Sequence, residues 1–447
     1  MSTSTYGAAG SSSRPPNDPG LVRLLAEALA SVDTFAVDAG GLLYIYRDGV
    51  YLPEAERHIK QAVKFLLIAW DQSKRWSKHL VEEVLAYLAA DAPLLWERPP
   101  LDLLNIANGL LDVQSRTLQS HTPAFLSTVQ LPVLFDPTIV DCPTWDLFLI
   151  RVLPPDVHEA GVIWRLLALL MIPYTDAHQA ILFSEPGGNG KGVLLAAIRA
   201  FLGERNISSL NLDQITGERF AAVNLYSKLA NLCDDLATRH LSDTSTFKRI
   251  VGGDPITADR KHRDPLPFRP YARLLFSANE FPQSTDASSG FYERWALIPF
   301  PTDFRGQHGE IPRHILDAQL AVPEELSGVL NRALAALPSI LGHRLPMTPS
   351  MKAAWNEFRN STDWVLIWLE RMLVEQPTGV IEKKAIHQAL ILEAQRQRRA
   401  VISPATLYKK IRSHWPNVDE SQRRLDPARN SLACFVGLTW RSGVQPL

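Results

Sequence analysis

An apolar run that leads into a glycine-rich loop and then a helical segment is the strongest constraint in this 447-residue sequence. The three parts are 181–184, 185–192 and 193–201. Glycines let backbone N–H groups face phosphates, a helix N-terminus adds a positive dipole end, and Lys191 can reach the β and γ oxygens. The stretch predicts a nucleoside triphosphate loop formed by Pro186, Gly187, Gly188, Asn189, Gly190, Lys191, Gly192 and Val193.

This loop departs from the common phosphate-binding pattern G-x-x-x-x-G-K-S/T at two positions. Glu185 stands at the first glycine position, and Gly192 replaces the hydroxyl residue that would ligate Mg²⁺. Both departures bear on the rate of hydrolysis. A glycine-rich strand-to-helix turn without a ligand is the alternative interpretation.

Composition is that of an ordinary globular protein, with 46% hydrophobic and 21% charged residues. A net charge of −1 predicts that any nucleic-acid surface is local. The three cysteines, Cys142, Cys233 and Cys434, are far apart and form no zinc motif, so we expect reduced thiols. The longest apolar run, 162–173, contains Arg165 and is too short for a membrane span, which favours a cytosolic protein without a membrane partner.

Two carboxylates follow the apolar segment 229–233. Asp234 and Asp235 predict an acidic strand end beside the glycine loop, where the first acid, Asp234, holds Mg²⁺ and the second directs the attacking water. An acidic strand end that faces solvent is the alternative.

A polar side chain and a cation flank two further apolar strands. Asn279 follows the strand 273–277, where an amide can contact the γ-phosphate or the water. Arg294 precedes the strand 296–300, where an arginine can reach a neighbouring subunit's triphosphate. A strand-turn cap and a surface ion pair are the respective alternatives.

Arg260, Lys261 and His262 lie between two β-prone segments and predict a basic hairpin tip that grips a nucleic-acid backbone. A solvated turn is the alternative.

The C-terminal region is basic, with ten Lys or Arg against three acids over 383–424. Helical spacing over 350–374, 383–398 and 403–414, followed by a strand over 433–440, is typical of a winged helix. It would bind duplex DNA through Lys409, Lys410 and Arg412. A solvated pair of amphipathic helices is the alternative.

Taken together, these motifs resemble the superfamily-3 helicases, in particular the helicase half of phage and plasmid primase–helicases, the D5-like and P4-like group. The resemblance covers about 40–320 and rests on one ordered set: 105–112, 121–123, the Lys191 loop, Asp234 with Asp235, 252–254, Lys261 with His262, Asn279 and Arg294.

The resemblance implies a hexameric ring that hydrolyses ATP with Mg²⁺ between subunits and pulls single-stranded DNA through its channel. Lys191 would bind phosphate, while Asp234 and Asp235 would serve the metal and the water. Asn279 would be the polar sensor, and Arg294 would act on the neighbour's ATP. Lys261 and His262 would track the strand, in replication of a phage, prophage or plasmid within a bacterial host cell.

The expected fold class is α/β, an AAA+-like P-loop ATPase core with an α+β N-terminal domain and a C-terminal winged helix. The expected boundaries are 1–19 for a disordered tail, 20–154 for the N-terminal domain, 155–320 for the ATPase domain, 321–374 for a helical connector and 375–447 for the winged helix.

Two other functions fit parts of the pattern. An ATP-switched origin binder that oligomerises on DNA without unwinding it would explain the atypical loop and the basic tail. A small-molecule kinase would use the loop alone. We find no paired-carboxylate polymerase site before the core, so we expect a helicase that does not prime and has a separate primase as a candidate partner.

Overall fold

A computed structural model gives the fold of this protein. It describes residues 20–184, 188–234, 236, 244–261, 263–279, 281, 289–307, 311–397, 399, 401–424 and 431–441. The tail expected over 1–19 lies outside these residues, as do Glu185, Pro186, Gly187, Asp235 and His262.

The N-terminal segment is α+β, with three helices and two small antiparallel sheets. Its hairpin between β2 and β3 turns at Asp48 and Gly49, both at positive φ, as an Asp-Gly turn favours. The elements are α1 (Leu21–Ala30), β1 (Phe35–Val37), β2 (Leu43–Arg47), β3 (Val50–Leu52), α2 (Ala55–Ala69), α3 (Lys78–Asp91), β4 (Leu103–Ile106), β5 (Gly109–Asp112) and β6 (Leu118–Gln119).

The central segment alternates helices and strands, as its apolar runs predict. Its elements are α4 (Pro143–Val152), α5 (Pro155–Glu159), α6 (Val162–Leu170), β7 (Ala180–Ser184), α7 (Lys191–Leu202), β8 (Ile207–Ser208), α8 (Leu212–Gly217), β9 (Ala230–Cys233), α9 (Ser245–Gly252), β10 (Ile256–Arg260), β11 (Arg263–Phe268), β12 (Arg273–Ser277), α10 (Ser289–Tyr292) and β13 (Trp295–Pro299).

Five of these strands form one parallel sheet in the order β13-β7-β12-β9-β8. All five consist of buried residues, and the four longer strands are mostly apolar, as expected for a sheet covered on both faces. The order corrects one expectation. The strand that ends before Asp234 does not lie beside the strand of the glycine loop, because β12 lies between them.

The last elements are α11 (Arg313–Leu320), α12 (Pro323–Ala336), α13 (Pro349–Thr362), α14 (Trp364–Met372), β14 (Leu373–Glu382), α15 (Lys383–Arg396), α16 (Pro404–His414), β15 (Asp419–Arg423) and β16 (Leu432–Trp440). The single helix predicted over 350–374 is wrong. Asp363 has non-helical dihedral angles, and its side chain caps a second helix by accepting from the Leu366 N–H at 3.3 Å.

The chain divides into two compact units. The first takes the described residues of 20–236, 245–279 and 294–351, and the second takes those of 237–244, 280–293 and 352–441. The region expected to be a connector, 321–374, is therefore divided between them. The reason is that α12 buries Val329, Leu330 and Leu334 in the large core that also holds α6 and α7.

The second unit has its own apolar core. After the capped helix α14 comes β14, then α15 and α16, then the antiparallel strands β15 and β16, with sheet order β14-β16-β15. Across the residues that the structure describes, no helix is long and apolar enough to cross a membrane.

Candidate active site

The carboxyl ends of three parallel strands bring the predicted site residues to one edge of the central sheet. The glycine loop follows β7, Asn279 follows β12, and Asp234 follows β9. Because ligands of such sheets bind at this edge, the arrangement places the glycine loop, an amide and a carboxylate on the side where a ligand is expected.

The glycine loop has a backbone that only glycine adopts without strain. Gly188 and Gly190 have φ of +85° and +89°. A Cβ atom at Gly190 would lie 2.7 Å from Cγ1 of Val152 on α4, so the loop packs directly against that helix. The side-chain amide of Asn189 is buried and donates to the carbonyl of Phe300 at 2.9 Å.

Lys191 is the first residue of α7 and is buried, with 5% of its surface exposed. Its Nζ donates to Oδ1 of Asn279 at 3.4 Å. The sequence predicted both residues for one site, and the fold brings their side chains together. A cation held there can be directed at a bound phosphate while the amide positions it.

Asp234 is about half exposed and lies 3.8 Å from the Arg199 guanidinium on α7. This is a partly exposed ion pair at the carboxyl end of β9. Its predicted partner Asp235 lies outside the described residues. Among the residues that the structure does describe, no group of three or more His, Cys, Asp or Glu side chains forms a metal cluster.

A cavity of about 940 Å³ opens beside the loop and includes six of its eight predicted residues, Gly188 to Val193. One face of α4 also lines this cavity, since the lining positions recur at helical spacing. Leu147 on this wall is 65% exposed. The α4 residues in the wall are Thr144, Leu147, Phe148, Arg151 and Val152.

Residues of α11 and α12 hold this face of α4 through hydrogen bonds. Glu325 accepts from the backbone N–H groups of Thr144 and Trp145, at 3.1 and 3.3 Å, and so caps the first turn of α4. The buried indole of Trp145 donates to the carbonyl of Leu320 at 2.9 Å. The cavity therefore has a fixed shape.

Three arginines near the cavity were missed by the sequence analysis because no motif marks them. Arg313 on α11 contacts the Gly192 carbonyl at 3.4 Å, and Arg151 lies over the Phe304 ring at 5.5 Å. The third arginine, Arg305, forms a bidentate pair with Asp303 beside Gly188. Its hydrogen bonds lower the pKa of the Asp303 carboxyl to about 2. Arg313 and Arg151 are the additional cations in the cavity wall.

Arg294 lies at the opposite edge of the sheet from the loop. Its carbonyl accepts from Ala180 N–H at 2.7 Å, at the amino ends of β13 and β7. The loop begins after Ser184, roughly 13 Å further along the strand. Arg294 is thus not brought to the cavity of its own chain.

The basic hairpin forms as predicted, with Arg260 paired opposite Arg263 in β10 and β11. Lys261 is exposed at its tip. Arg260, the last strand residue before the tip, donates to the carbonyl of Gly40 at 3.2 Å and is only partly exposed, so the hairpin contacts the N-terminal segment next to its tip.

The three predicted cations of α16 differ in their surroundings. Lys409 is exposed, and Arg412 pairs with Glu420 at 2.7 Å. Lys410 points to Asp363, whose side chain is only 1% exposed. Lys410 therefore holds the α14 cap rather than presenting its charge to solvent.

Comparison with known families gives three matches along the chain. Residues 33–154 match the family described as D5 N terminal like, residues 182–294 a family of unknown function (DUF5906), and residues 362–442 the RFX DNA-binding domain. The protein "Putative helicase L207/L206" of Acanthamoeba polyphaga mimivirus is 24% identical over 162 residues. Over its N-terminal part, residues 33–154, the chain is similar to the D5-like primase–helicase family. The alignment covers 35% of this chain and spans 17% of the mimivirus protein's length.

Two solved structures of the NrS-1 C-terminal region are similar to this D5-like chain. One apo structure has 15% identity, covers 94% of this chain and 100% of that chain, and gives a TM-score of 0.49. The A form gives 0.47 at 15% identity, with 92% and 98% coverage. At a TM-score below 0.5 the likeness assigns no role to any residue here.

Proposed function

We propose that this D5-like protein is an ATP-dependent DNA helicase of the superfamily-3 type that acts in replication of a phage, prophage or plasmid. One observation carries the proposal. Nζ of the buried Lys191 lies 3.4 Å from Oδ1 of the exposed Asn279, at the edge of a parallel sheet where a glycine loop lines a cavity large enough for a nucleotide. This is the arrangement that a triphosphatase requires.

The strand order supports an AAA+-like core. The loop strand β7 lies between β13 and β12, and the acidic strand β9 lies beyond β12. In this order the amide of Asn279 stands between the phosphate loop and Asp234, as expected for a sensor that contacts both the γ-phosphate and the water. Arg294, at the far edge, would serve the site of an adjacent subunit in a ring.

Magnesium in nucleotide sites usually keeps waters and takes one or two carboxylates in addition to the phosphates. The residues here fit that requirement, because Asp234 offers one exposed carboxylate at the correct edge and Gly192 offers none. When bound, Mg²⁺ would neutralise phosphate charge. Lys191 and Arg313 would add fixed positive charge, and Asp235 would orient the water.

The cavity supports the nucleotide assignment beyond the phosphates. Leu147 and Ile311 are exposed apolar side chains that line the same cavity as Gly190. An adenine ring would cover them, and Arg151 could face its edge. The base would then lie against α4, which precedes the predicted ATPase domain in sequence.

DNA contacts are proposed at two places. The exposed Lys261, with His262, would contact single-stranded DNA at the hairpin tip. The second unit has the element order of a winged helix and matches a DNA-binding family, so its exposed Lys409 and the β15–β16 strands would contact duplex DNA. A hexamer and a separate primase partner complete the proposal.

The test is ATP hydrolysis and unwinding of a forked duplex by the purified chain, with and without single-stranded DNA. We expect hydrolysis that single-stranded DNA stimulates, together with strand separation that requires ATP. The matched variant Lys261→Ala should lose stimulation and unwinding and keep basal hydrolysis. Nucleotide-dependent DNA binding without strand separation would instead favour the origin-binding switch.

The base site has a separate prediction. Leu147→Ala should weaken binding of a fluorescent ATP analogue about tenfold, since it removes an apolar contact worth about 1–2 kcal/mol. Binding of inorganic tripolyphosphate should not change. Ile150→Ala is the matched control, because Ile150 is exposed on α4 and does not line the cavity. Equal losses in both variants would contradict this assignment.

A further inference from the structure

A corner of the N-terminal segment combines cations with exposed large apolar side chains. Over 57–78 the sequence has six Lys or Arg and one acid, Asp71, although the whole chain carries a net charge of −1. This segment comprises most of α2, the turn after it and the start of α3. We call it the α2–α3 corner.

The corner exposes three large apolar side chains that a soluble surface normally hides. Phe65 and Trp76 are each 48% exposed, and Ile68 is 58% exposed. Their neighbours Leu66 and Leu67 are buried, so α2 packs into the core without using Phe65 or Ile68. An exposed group of this size marks a binding surface.

Backbone hydrogen bonds order the turn between α2 and α3. The N–H of Gln72 donates to the Leu67 carbonyl at 2.7 Å, and the N–H of Trp76 to the Ser73 carbonyl at 3.3 Å. Ser77 then caps α3 by accepting from Leu80 N–H at 3.1 Å. The corner is therefore an ordered turn that positions an indole at a helix start.

The charge of the corner is only partly neutralised. Lys60 and Lys78 pair with Glu56 and Glu82. The other four cations are exposed, and no acidic group among the described residues lies within ion-pair distance of them. They are Arg57, Lys64, Lys74 and Arg75.

We propose that the α2–α3 corner is a binding platform for single-stranded nucleic acid. Aromatic rings stack on bases, and the interleaved cations neutralise phosphates, which is the combination that sequence-independent single-strand binding uses. Trp76 supplies the ring, and Lys64, Lys74 and Arg75 supply the charge. Duplex DNA buries its base faces, so the platform selects single strands.

The inference extends the proposed function, and it rests on that function only in taking nucleic acid as the ligand. A motor that pulls one strand needs a surface that holds the strand outside the hairpins. The corner is far along the chain from Lys261 and Lys409, so its contribution can be measured separately.

The experiment measures binding of the full chain to fluorescein-labelled oligo(dT) of about 20 nucleotides and to a hairpin duplex. Trp76→Ala should weaken oligo(dT) binding about tenfold, with duplex binding unchanged. Tyr87→Ala is the matched control, an exposed aromatic further along α3. Both variants should unfold at the wild-type temperature.

The charges have their own measurement. The triple variant Lys64→Gln, Lys74→Gln, Arg75→Gln should reduce the slope of log affinity against log salt by about 2, at roughly 0.7 per phosphate contact. Arg205→Gln, at an exposed arginine outside the corner, should leave the slope unchanged. Hydrolysis of ATP without DNA should be unchanged in all variants.

The outcomes separate the two proposals. A wild-type chain that binds no single-stranded DNA would overturn both the helicase and the platform. Wild-type binding that survives Trp76→Ala and the triple variant within twofold would overturn the platform alone. Loss of binding to phosphatidylserine vesicles in the variants, with oligo(dT) affinity unchanged, would replace the nucleic acid with a membrane surface.

Discussion

Lys191→Ala should reduce ATP hydrolysis by at least about 100-fold. The substitution removes a buried cation from the phosphate loop, and one fixed electrostatic contact to a reacting group contributes roughly 3–4 kcal/mol. It also leaves Oδ1 of Asn279 without the Lys191 donor at 3.4 Å. Steady-state phosphate release at saturating ATP and Mg²⁺ measures the effect.

The matched variant Lys191→Arg tests whether charge alone is sufficient. A planar guanidinium is longer than an ammonium and does not fit the same contact, so we expect it to restore little activity. Both variants should still bind duplex DNA, which shows that the chain folds. Hydrolysis near the wild-type rate in Lys191→Ala would mean that the loop is a turn without a catalytic ligand.

Lys410→Ala should destabilise the second unit by about 3–5 kcal/mol, the usual cost of leaving one partner of a buried ion pair alone. The Asp363 carboxylate, 1% exposed, would lose its cation while it still caps α14. Hydrogen exchange followed by mass spectrometry should show faster exchange in α14 and α16, with protection of the parallel sheet unchanged.

Lys409→Ala is the control at the adjacent residue. Lys409 is exposed, so its loss should change stability by less than about 0.5 kcal/mol. It should weaken duplex DNA binding, whereas Lys410→Ala should do so only where the unit unfolds. Removing both charges with Asp363→Asn and Lys410→Met should cost less than Lys410→Ala. Equal protection in Lys409→Ala and Lys410→Ala would contradict the assignment.

Local pattern predicted the elements of the central sheet closely. The strand expected over 273–277 is β12, and the one expected over 181–184 is β7 with one residue added. These runs are short, apolar and bounded by turn residues, so a buried strand is the structure that their pattern most strongly favours. The basic hairpin and the capped start of α16 at Ser403 follow from local signals of the same kind.

Other features depend on which distant segments meet. The predicted helix over 350–374 is two helices that meet at Asp363. The carboxylate of Asp363 pairs with Lys410, which lies 47 residues later in the chain. The order of strands places β12 between β7 and β9, which no single segment specifies. The α2–α3 corner could have been found by counting charges over 57–78, but not the exposure of Trp76.

What the sequence by itself determined is the chemistry at each strand end: the glycine loop with Lys191, the carboxylate of Asp234 and the amide of Asn279. These depend on residue type and local backbone preference. Only the tertiary structure decided that α4 forms a wall of the cavity, that Arg294 lies at the far edge of the sheet and that Lys410 faces inward. Burial and ion pairing between residues distant in sequence set these positions. The free energy of those contacts exists only in the packed chain, so no local segment of the sequence specifies it.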